Sequence, residues 1–363
     1  MVQLLPALES GGVERSTLEI CTALVEAGHR AIVVSAGGRL VPQLQAMGAE
    51  HVTLDIGRKA PATLRHIVAL RRLFRETRAD IVHARSRLPA WLGQFALRGM
   101  AKGERPRFVT TVHGLNSPSR YSAVMASGDR VICVSRTVRD YVLQHYPRTP
   151  QDRLLVIERG IDPTAFPCAP HPDPGARAEA VARYPTLGGT GPLLLLPGRG
   201  TRLKGHADAL RVLAGLRGSG VDARLWMVGA RQAGRDAYID ELQREAARLG
   251  VTDALVLSEP TTEIARAYAA SDLVLQLSRQ PEAFGRTVLE ALSVGRPVLG
   301  WAHGGVGELL ARWQPQGAVL PFDEDALLHR AHALMAQPPP PVTMPDGLRT
   351  MQQATLSLYE QLA

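Results

Sequence analysis

Two glutamates, Glu282 and Glu290, stand eight positions apart around a Phe284-Gly285 step. A strand-like run, Leu273 to Leu277, ends just upstream, and an apolar-periodic helix begins just downstream. One acid therefore lies in a strand-to-helix loop and the other about two turns into the helix. The start of such a helix offers free N–H groups and the positive end of its dipole, which together seat a phosphate. Acids on both sides of a phosphate seat suit a phosphorylated ligand that also carries hydroxyls, and a nucleotide sugar has that layout. Each acid also has a plainer role open to it: Glu282 as a helix-cap acid, Glu290 as the buried partner of an arginine.

A second loop, Pro197 to Gly205, follows another strand-like run and opens a helix near Lys204. Arg199 brings a forked guanidinium and Lys204 a point charge, a pair that can converge on a diphosphate. Gly198, Gly200 and Gly205 allow the backbone close to a ligand. Of 42 basic residues only Lys59, Lys102 and Lys204 are lysines, so the choice at 204 stands out. A solvated basic loop is the plainer alternative. No Asp-x-Asp ends a strand in a way that suits a catalytic metal, so Arg199 and Lys204 are expected to replace Mg²⁺, with no metal and no cofactor.

Near the start, Ser10-Gly11-Gly12-Val13-Glu14-Arg15 sits where the first strand turns into the first helix. It is not a G-x-G-x-x-G fingerprint, and Ser35-Ala36-Gly37 stands where a ribose-binding acid would end the second strand. Both facts disfavour an NAD-dependent oxidoreductase. His113, in Thr110-Thr111-Val112-His113-Gly114, ends a strand and points to the carboxyl edge of the first sheet. His83 and His303 are weaker copies of that placement, and a structural histidine is the alternative for all three.

The elements that must position these groups alternate. Strands are expected at Val2–Leu5, Ala31–Ser35, His51–Leu54, Ile81–Ala84, Phe108–Val112 and Val131–Val134, with helices near 13–27, 61–78, 88–100 and 136–146. The Pro-rich stretch Gly160–Gly191 reads as a linker with an irregular excursion. The alternation restarts with strands at Leu193–Leu196, Arg224–Val228, Ala254–Leu257, Leu273–Leu277 and Pro297–Gly300. Helices are expected near 205–217, 235–248, 261–270, 285–294 and 305–311, and a last one runs from about Pro345 to Leu362. This predicts two doubly wound α/β domains, with a ligand in the cleft between them.

The 363 residues suffice for two ordinary domains, and 45% hydrophobic content fills their cores. Aromatic content of 5% argues against stacking platforms, so no nucleic-acid partner is expected. Three scattered cysteines exclude a disulfide framework and fit a reducing compartment. No apolar run approaches ~20 residues, and the N-terminus lacks the basic and cleavage features of a signal peptide. Residues 1–165 carry 23 Lys and Arg against 14 Asp and Glu, whereas the rest carry 19 against 20. The excess positive charge thus belongs to the first half, as solvated basic faces or as a surface for an anionic partner. Within it, Leu64, Ile67, Val68 and Phe74 are expected on one helix face with arginines opposite. Trp91 and Phe95 with Arg85, Arg87 and Arg98 form a second mixed patch, and contact with a membrane surface is the alternative to simple packing.

Taken together, Gly11-Gly12-Val13-Glu14, Val112-His113-Gly114, Gly198-Arg199 to Lys204-Gly205, and Glu282-Ala283-Phe284-Gly285 to Glu290 resemble, in order, the motifs of retaining glycosyltransferases of the GT-B fold, family 4. Arg85 to Trp91, Thr111 to Gly114 and Gln280 to Glu290 further resemble the bacterial subgroup that builds the lipopolysaccharide core. Glu158-Arg159-Gly160-Ile161-Asp162 departs from the family, in which many members carry Pro-Asn-Gly there. The resemblance implies a GT-B architecture: an acceptor-binding domain over 1–165, a donor-binding domain over 166–340, and a C-terminal helix over 341–363 packing back toward the first. It implies catalytic roles for Glu282, His113, Arg199 and Lys204. Donor binding would add Gly12, Val228, Gly229, Phe284, Gly285, Arg286, Thr287 and Glu290, with Glu282 on the sugar, Glu290 on the ribose, and the base near Val228-Gly229 and Ser258 to Glu263. Gly11, Arg85, Arg87 and Trp91 would meet the acceptor. The implied reaction moves a hexose or N-acetylhexosamine from a nucleotide-diphosphate sugar, UDP-linked, to a lipopolysaccharide core or related glycan. The enzyme would be cytoplasmic, in peripheral contact with the inner membrane through an anionic glycolipid. An epimerase or hydrolase of the same fold would be told apart by product analysis with and without acceptor. A non-catalytic sugar-nucleotide-binding module would bind donor without turnover on any acceptor.

Overall fold

The computed structural model describes residues 1–9 and 11–363; Ser10, in the first glycine motif, lies outside them. The chain forms two compact units, Met1–Arg159 with Leu348–Ala363, and Gly160–Gly347. Each is built on one wholly parallel sheet.

In the first unit the strands are β1 (Val2–Leu4), β2 (Ile32–Ser35), β3 (Glu50–Thr53), β4 (Ile81–Ala84), β5 (Arg107–Val112), β6 (Arg130–Cys133) and β7 (Leu154–Val156). They lie in the order 3-2-1-4-5-6-7. Its helices are α1 (Gly12–Glu26), α2 (Val41–Ala46), α3 (His66–Glu76), α4 (Arg87–Arg98) and α5 (Arg136–His145). The second unit has α6 (Pro174–Arg183), then β8 (Leu193–Leu195), β9 (Arg224–Val228), β10 (Leu255–Ser258), β11 (Leu273–Gln276), β12 (Val298–Trp301) and β13 (Ala318–Val319), in the order 10-9-8-11-12-13. Around that sheet run α7 (His206–Gly218), α8 (Asp236–Arg248), α9 (Ile264–Ala270), α10 (Arg286–Ser293), α11 (Gly304–Trp313) and α12 (Glu324–Ala336). The last helix, α13 (Gly347–Glu360), rejoins the first unit, where Met351, Leu358 and Tyr359 enter its core beside Leu24 and Val33.

The central strands are buried along their whole length, as in Leu193–Leu195 and Leu273–Gln276, because helices cover both faces of a parallel sheet. Both strand orders reverse direction once, between β1 and β4 and between β8 and β11. Ligands of doubly wound sheets bind outside the carboxyl ends of the strands at such a switch point.

The alternation of elements is as the sequence predicted, with five additions. β7 and β13 are edge strands of three and two residues, too short to show a period. Helix α2 is short as well, at six residues. Helix α6 lies inside the stretch read as irregular: Asp173 accepts from Ala176 N, and Pro174 sits at the first helical position, where its missing N–H costs nothing. Helix α12 is capped in the same way by Asp323.

Helix α3 corrects one expectation. Leu70 and Phe74 face the core, whereas Val68 is 67% exposed and Leu64 55%. At 100° per residue Val68 lies nearly opposite Leu70, and Leu64 sits in a 3₁₀ turn, Pro61–Arg65, that precedes the helix and breaks its phase.

Candidate active site

At the switch point of the second unit, the loops after β8 and β11 meet. The loop after β8 turns at Gly205, whose φ of 73° and closeness to β11 both require glycine: a Cβ there would lie 1.9 Å from Leu277 O. This contact fixes Lys204 beside the second loop, and Lys204 Nζ donates to Glu282 Oε1 at 2.5 Å. Glu282 also accepts from Gln276 Nε2 at 3.2 Å and from the Ser278 hydroxyl. Burial pushes the Glu282 carboxyl up, but the Lys204 charge and these three donors outweigh it, and its pKa lies below the ordinary carboxylate value. The glutamate is therefore ionised, and it shares the lysine expected to serve a diphosphate. Arg199, on the same loop, is exposed, and its guanidinium has no partner among the described residues.

Helix α10 starts at Arg286 behind Gly285, which adopts φ 98° where a Cβ would press on Val306. Phe284 is buried and anchors that entry, and the N–H groups of Arg286 and Thr287 lie in the first turn, without intrahelical acceptors. Glu290 is 9% exposed; it accepts from Tyr268 Oη at 2.9 Å and from Arg286 Nε at 2.9 Å. The plainer reading of Glu290, a buried acid paired with an arginine, thus describes its geometry. Two acceptor sites of the carboxylate stay open for hydroxyls. Burial, and then the Glu290 charge, push the Tyr268 hydroxyl well above its usual pKa, so it stays a donor. At the end of β9, Gly198 N donates to Val228 O and Gly229 N to Ser258 O, which draws Val228 and Gly229 against the basic loop. His303 bonds the Ser278 carbonyl at 2.8 Å, and Gly305 N bonds Glu282 O at 2.7 Å, so the loop after β12 buttresses Glu282.

In the first unit His113 ends β5. Its Nδ1 accepts from the Arg159 guanidinium, whose other nitrogen donates to Gly12 O at 2.5 Å. Burial, then the charges of Arg159, Arg85 and His83, hold the His113 pKa well below the usual value, so the ring is neutral. Gly11 is the residue before α1 and Gly12 its first. Arg87 and Trp91 come together at one surface: Arg87 stacks 5.3 Å from the Tyr121 ring, and Trp91 Nε1 donates to Tyr121 O at 2.9 Å. Arg85 does not join them. It is 4% exposed, bonded to Gln3 Oε1 at 2.5 Å and to Ser16 Oγ at 3.3 Å, and so has no surface on which to meet an acceptor. Burial pairs His83 with Tyr359 and Thr111, each at 2.6 Å, the structural role that was its alternative.

Sequence reasoning missed Arg159, Gln276, Ser278 and Tyr268. Gln276 and Ser278 carried a signal: they are polar, alternate residues ending an otherwise apolar strand. Arg159 stood in the segment noted only for departing from the family. Nothing local marks Tyr268, which reaches Glu290 from another helix.

Two doubly wound parallel sheets with glycine-bearing loops at their carboxyl edges define the GT-B class, and structural similarity bears this out. Residues 10–165 match the model of Glycosyltransferase Family 4, and residues 183–345 that of Glycosyl transferases group 1. The two models together span most of the chain, which belongs to the family 4 glycosyltransferases of the GT-B fold. A glycosyltransferase from Rickettsia africae superimposes with a TM-score of 0.85 at 25% identity, covering 99% of this chain and 97% of that one. An Anabaena protein in complex with UDP and glucose superimposes at 0.77 with 19% identity, covering 99% and 94%. A D-inositol 3-phosphate glycosyltransferase of Segniliparus rotundus is 28% identical over 204 residues, 53% of this chain and 43% of that protein. The chain spans about half the length of the curated relatives it matches.

Proposed function

We propose that this chain transfers a hexose or N-acetylhexosamine, with retention, from a nucleotide-diphosphate sugar to a phosphorylated glycan, a lipopolysaccharide core or a related surface acceptor. The observation that carries this reading is the Lys204–Glu282 pair at the switch point, with exposed Arg199 on the same loop. As the sugar–phosphate bond breaks, the anomeric carbon becomes oxocarbenium-like and negative charge grows on the leaving diphosphate. Arg199 and Lys204 stabilise that charge, without a metal. Lys204 turns from Glu282 toward the diphosphate, and ionised Glu282 is left to accept hydroxyls of the transferred sugar. The N–H groups from Phe284 to Thr287 hold sugar and phosphate, and the open lone pairs of Glu290 take the ribose. Gly12 keeps the donor-side role implied by the family motifs, and the His113 ring, with Nδ1 on Arg159 and Nε2 buried, holds Arg159 against Gly12. The Anabaena protein's UDP supports a uridine donor.

The acceptor is anionic on this reading, because the excess positive charge lies in residues 1–165, and the Segniliparus relative is named for a phosphorylated acceptor. Exposed Leu64 and Val68, close in sequence to Arg65 and Arg72, support docking on the cytoplasmic face of an anionic inner membrane. No helix among the described residues is long and apolar enough to cross one.

The test is turnover of UDP-glucose, UDP-galactose, UDP-N-acetylglucosamine and GDP-mannose on lipopolysaccharide core and on inositol phosphate, with and without EDTA. Transfer with an α-linked product, unaffected by EDTA, is expected. Donor hydrolysis or epimerisation alone, or loss of transfer on chelation, refutes the proposal as stated. Binding to anionic vesicles is expected to weaken as salt rises, and salt-independent binding removes the membrane contact.

A further inference from the structure

A narrow cavity of about 20 Å³ lies in the first unit, where the carboxyl ends of β4 to β7 meet α1 and α13. Its polar lining comprises Ser16, His83, Arg85, Thr111, His113, Arg159 and Thr355, and no Asp or Glu is among the lining residues. His83 is bonded at both ring nitrogens, to Tyr359 and to Thr111. Two N–H donors remain. Arg85 uses Nε on Gln3 and Nη1 on Ser16, while its buried Nη2 has no partner among the described residues. The buried Nε2 of His113 has none either. The tautomer of His113 follows from its neighbour: a guanidinium only donates, so Nδ1 must accept from Arg159, and the ring proton resides on Nε2.

We infer that this cavity binds a small monovalent anion, with chloride as the abundant physiological candidate, between the Arg85 Nη2 and His113 Nε2 donors. A water molecule would satisfy both donors but would leave the Arg85 charge, 96% removed from solvent, with only the Glu19 carboxylate, which does not line the cavity, to offset it. An isolated buried charge is costly, and an anion offsets the charge as well as the unmade hydrogen bonds. The small volume favours a monatomic anion over phosphate or sulfate. The anion would also hold the His113 ring in one tautomer and orientation. The inference stands on the first unit alone and does not depend on the donor reading of the second.

The experiment uses the whole chain. Thermal unfolding is followed in sodium chloride, bromide and gluconate at fixed ionic strength, and a crystal soaked in sodium bromide is measured at the bromine edge. Chloride and bromide are expected to raise Tm saturably by roughly 2–4 °C over gluconate, with an anomalous peak within hydrogen-bond reach of Arg85 and His113. Arg85→Met, which keeps the stem and removes the charge, is expected to abolish the chloride dependence. If that variant fails to fold, the wild-type bromide peak alone decides. A Tm that does not distinguish the anions, or a peak elsewhere with this cavity occupied by water, overturns the inference.

Discussion

Lys204→Ala separates catalysis from folding at the proposed site. The Lys204 and Glu282 side chains are 29% and 22% exposed, with Nζ and Oε1 2.5 Å apart. At an effective dielectric of about 20 their bare attraction is roughly 7 kcal/mol. Desolvation of both partners cancels most of this, and Ser278 and Gln276 still bond the carboxylate in the variant. A net stability loss of about 1–2 kcal/mol is left, discounted for partial exposure. The Glu282 pKa is lowered in the fold, so this contribution is present above the ordinary carboxylate range and lost as pH falls through the lowered value. The stability gap between wild type and variant should therefore be full at pH 7 and shrink below about pH 4. Catalysis responds differently, because removing a fixed cation from the leaving diphosphate costs about 10²–10³ in kcat. The double variant Lys204→Ala/Glu282→Gln removes the uncompensated carboxylate; it should regain most of the stability and none of the turnover. The assays are urea unfolding across pH and steady-state transfer at saturating donor. Turnover within threefold of wild type in Lys204→Ala, or recovery of turnover in the double variant, would refute the reasoning.

Glu290→Gln keeps the shape of the buried acceptor but loses its charge; donor affinity should fall about tenfold, roughly 1.4 kcal/mol, read by calorimetry with the free nucleotide diphosphate. Gly205→Ala combines a positive φ with a Cβ 1.9 Å from Leu277 O, and should cost about 3 kcal/mol or more in unfolding free energy and lose donor binding. His206 is buried at the start of α7, and burial lowers its pKa to about 4. The unfolded chain then binds the extra proton first, so stability should decline by about 1–3 kcal/mol as pH falls from 6.5 toward 4, and His206→Asn should flatten that slope.

The periodicity of the chain alone determined the two parallel sheets and the loops that carry the site, because an alternation of buried strands and helices of this length packs in few ways. Local chemistry marked Glu282, Arg199 and Lys204, since glycines beside charged residues at strand ends are legible without tertiary information. Short edge strands and the capped α6 were not legible, since two or three residues carry no period and a proline at a helix start resembles a proline in a linker. Only the fold decided that Lys204 closes on Glu282, through the approach of Gly205 to Leu277. Only the fold removed Arg85 from the acceptor surface, burying it beside His113, whose neighbour Arg159 lies 46 positions further on. Composition and spacing report what a residue can do. Which partner it meets depends on distances between strands far apart in sequence, and the packed sheet sets those.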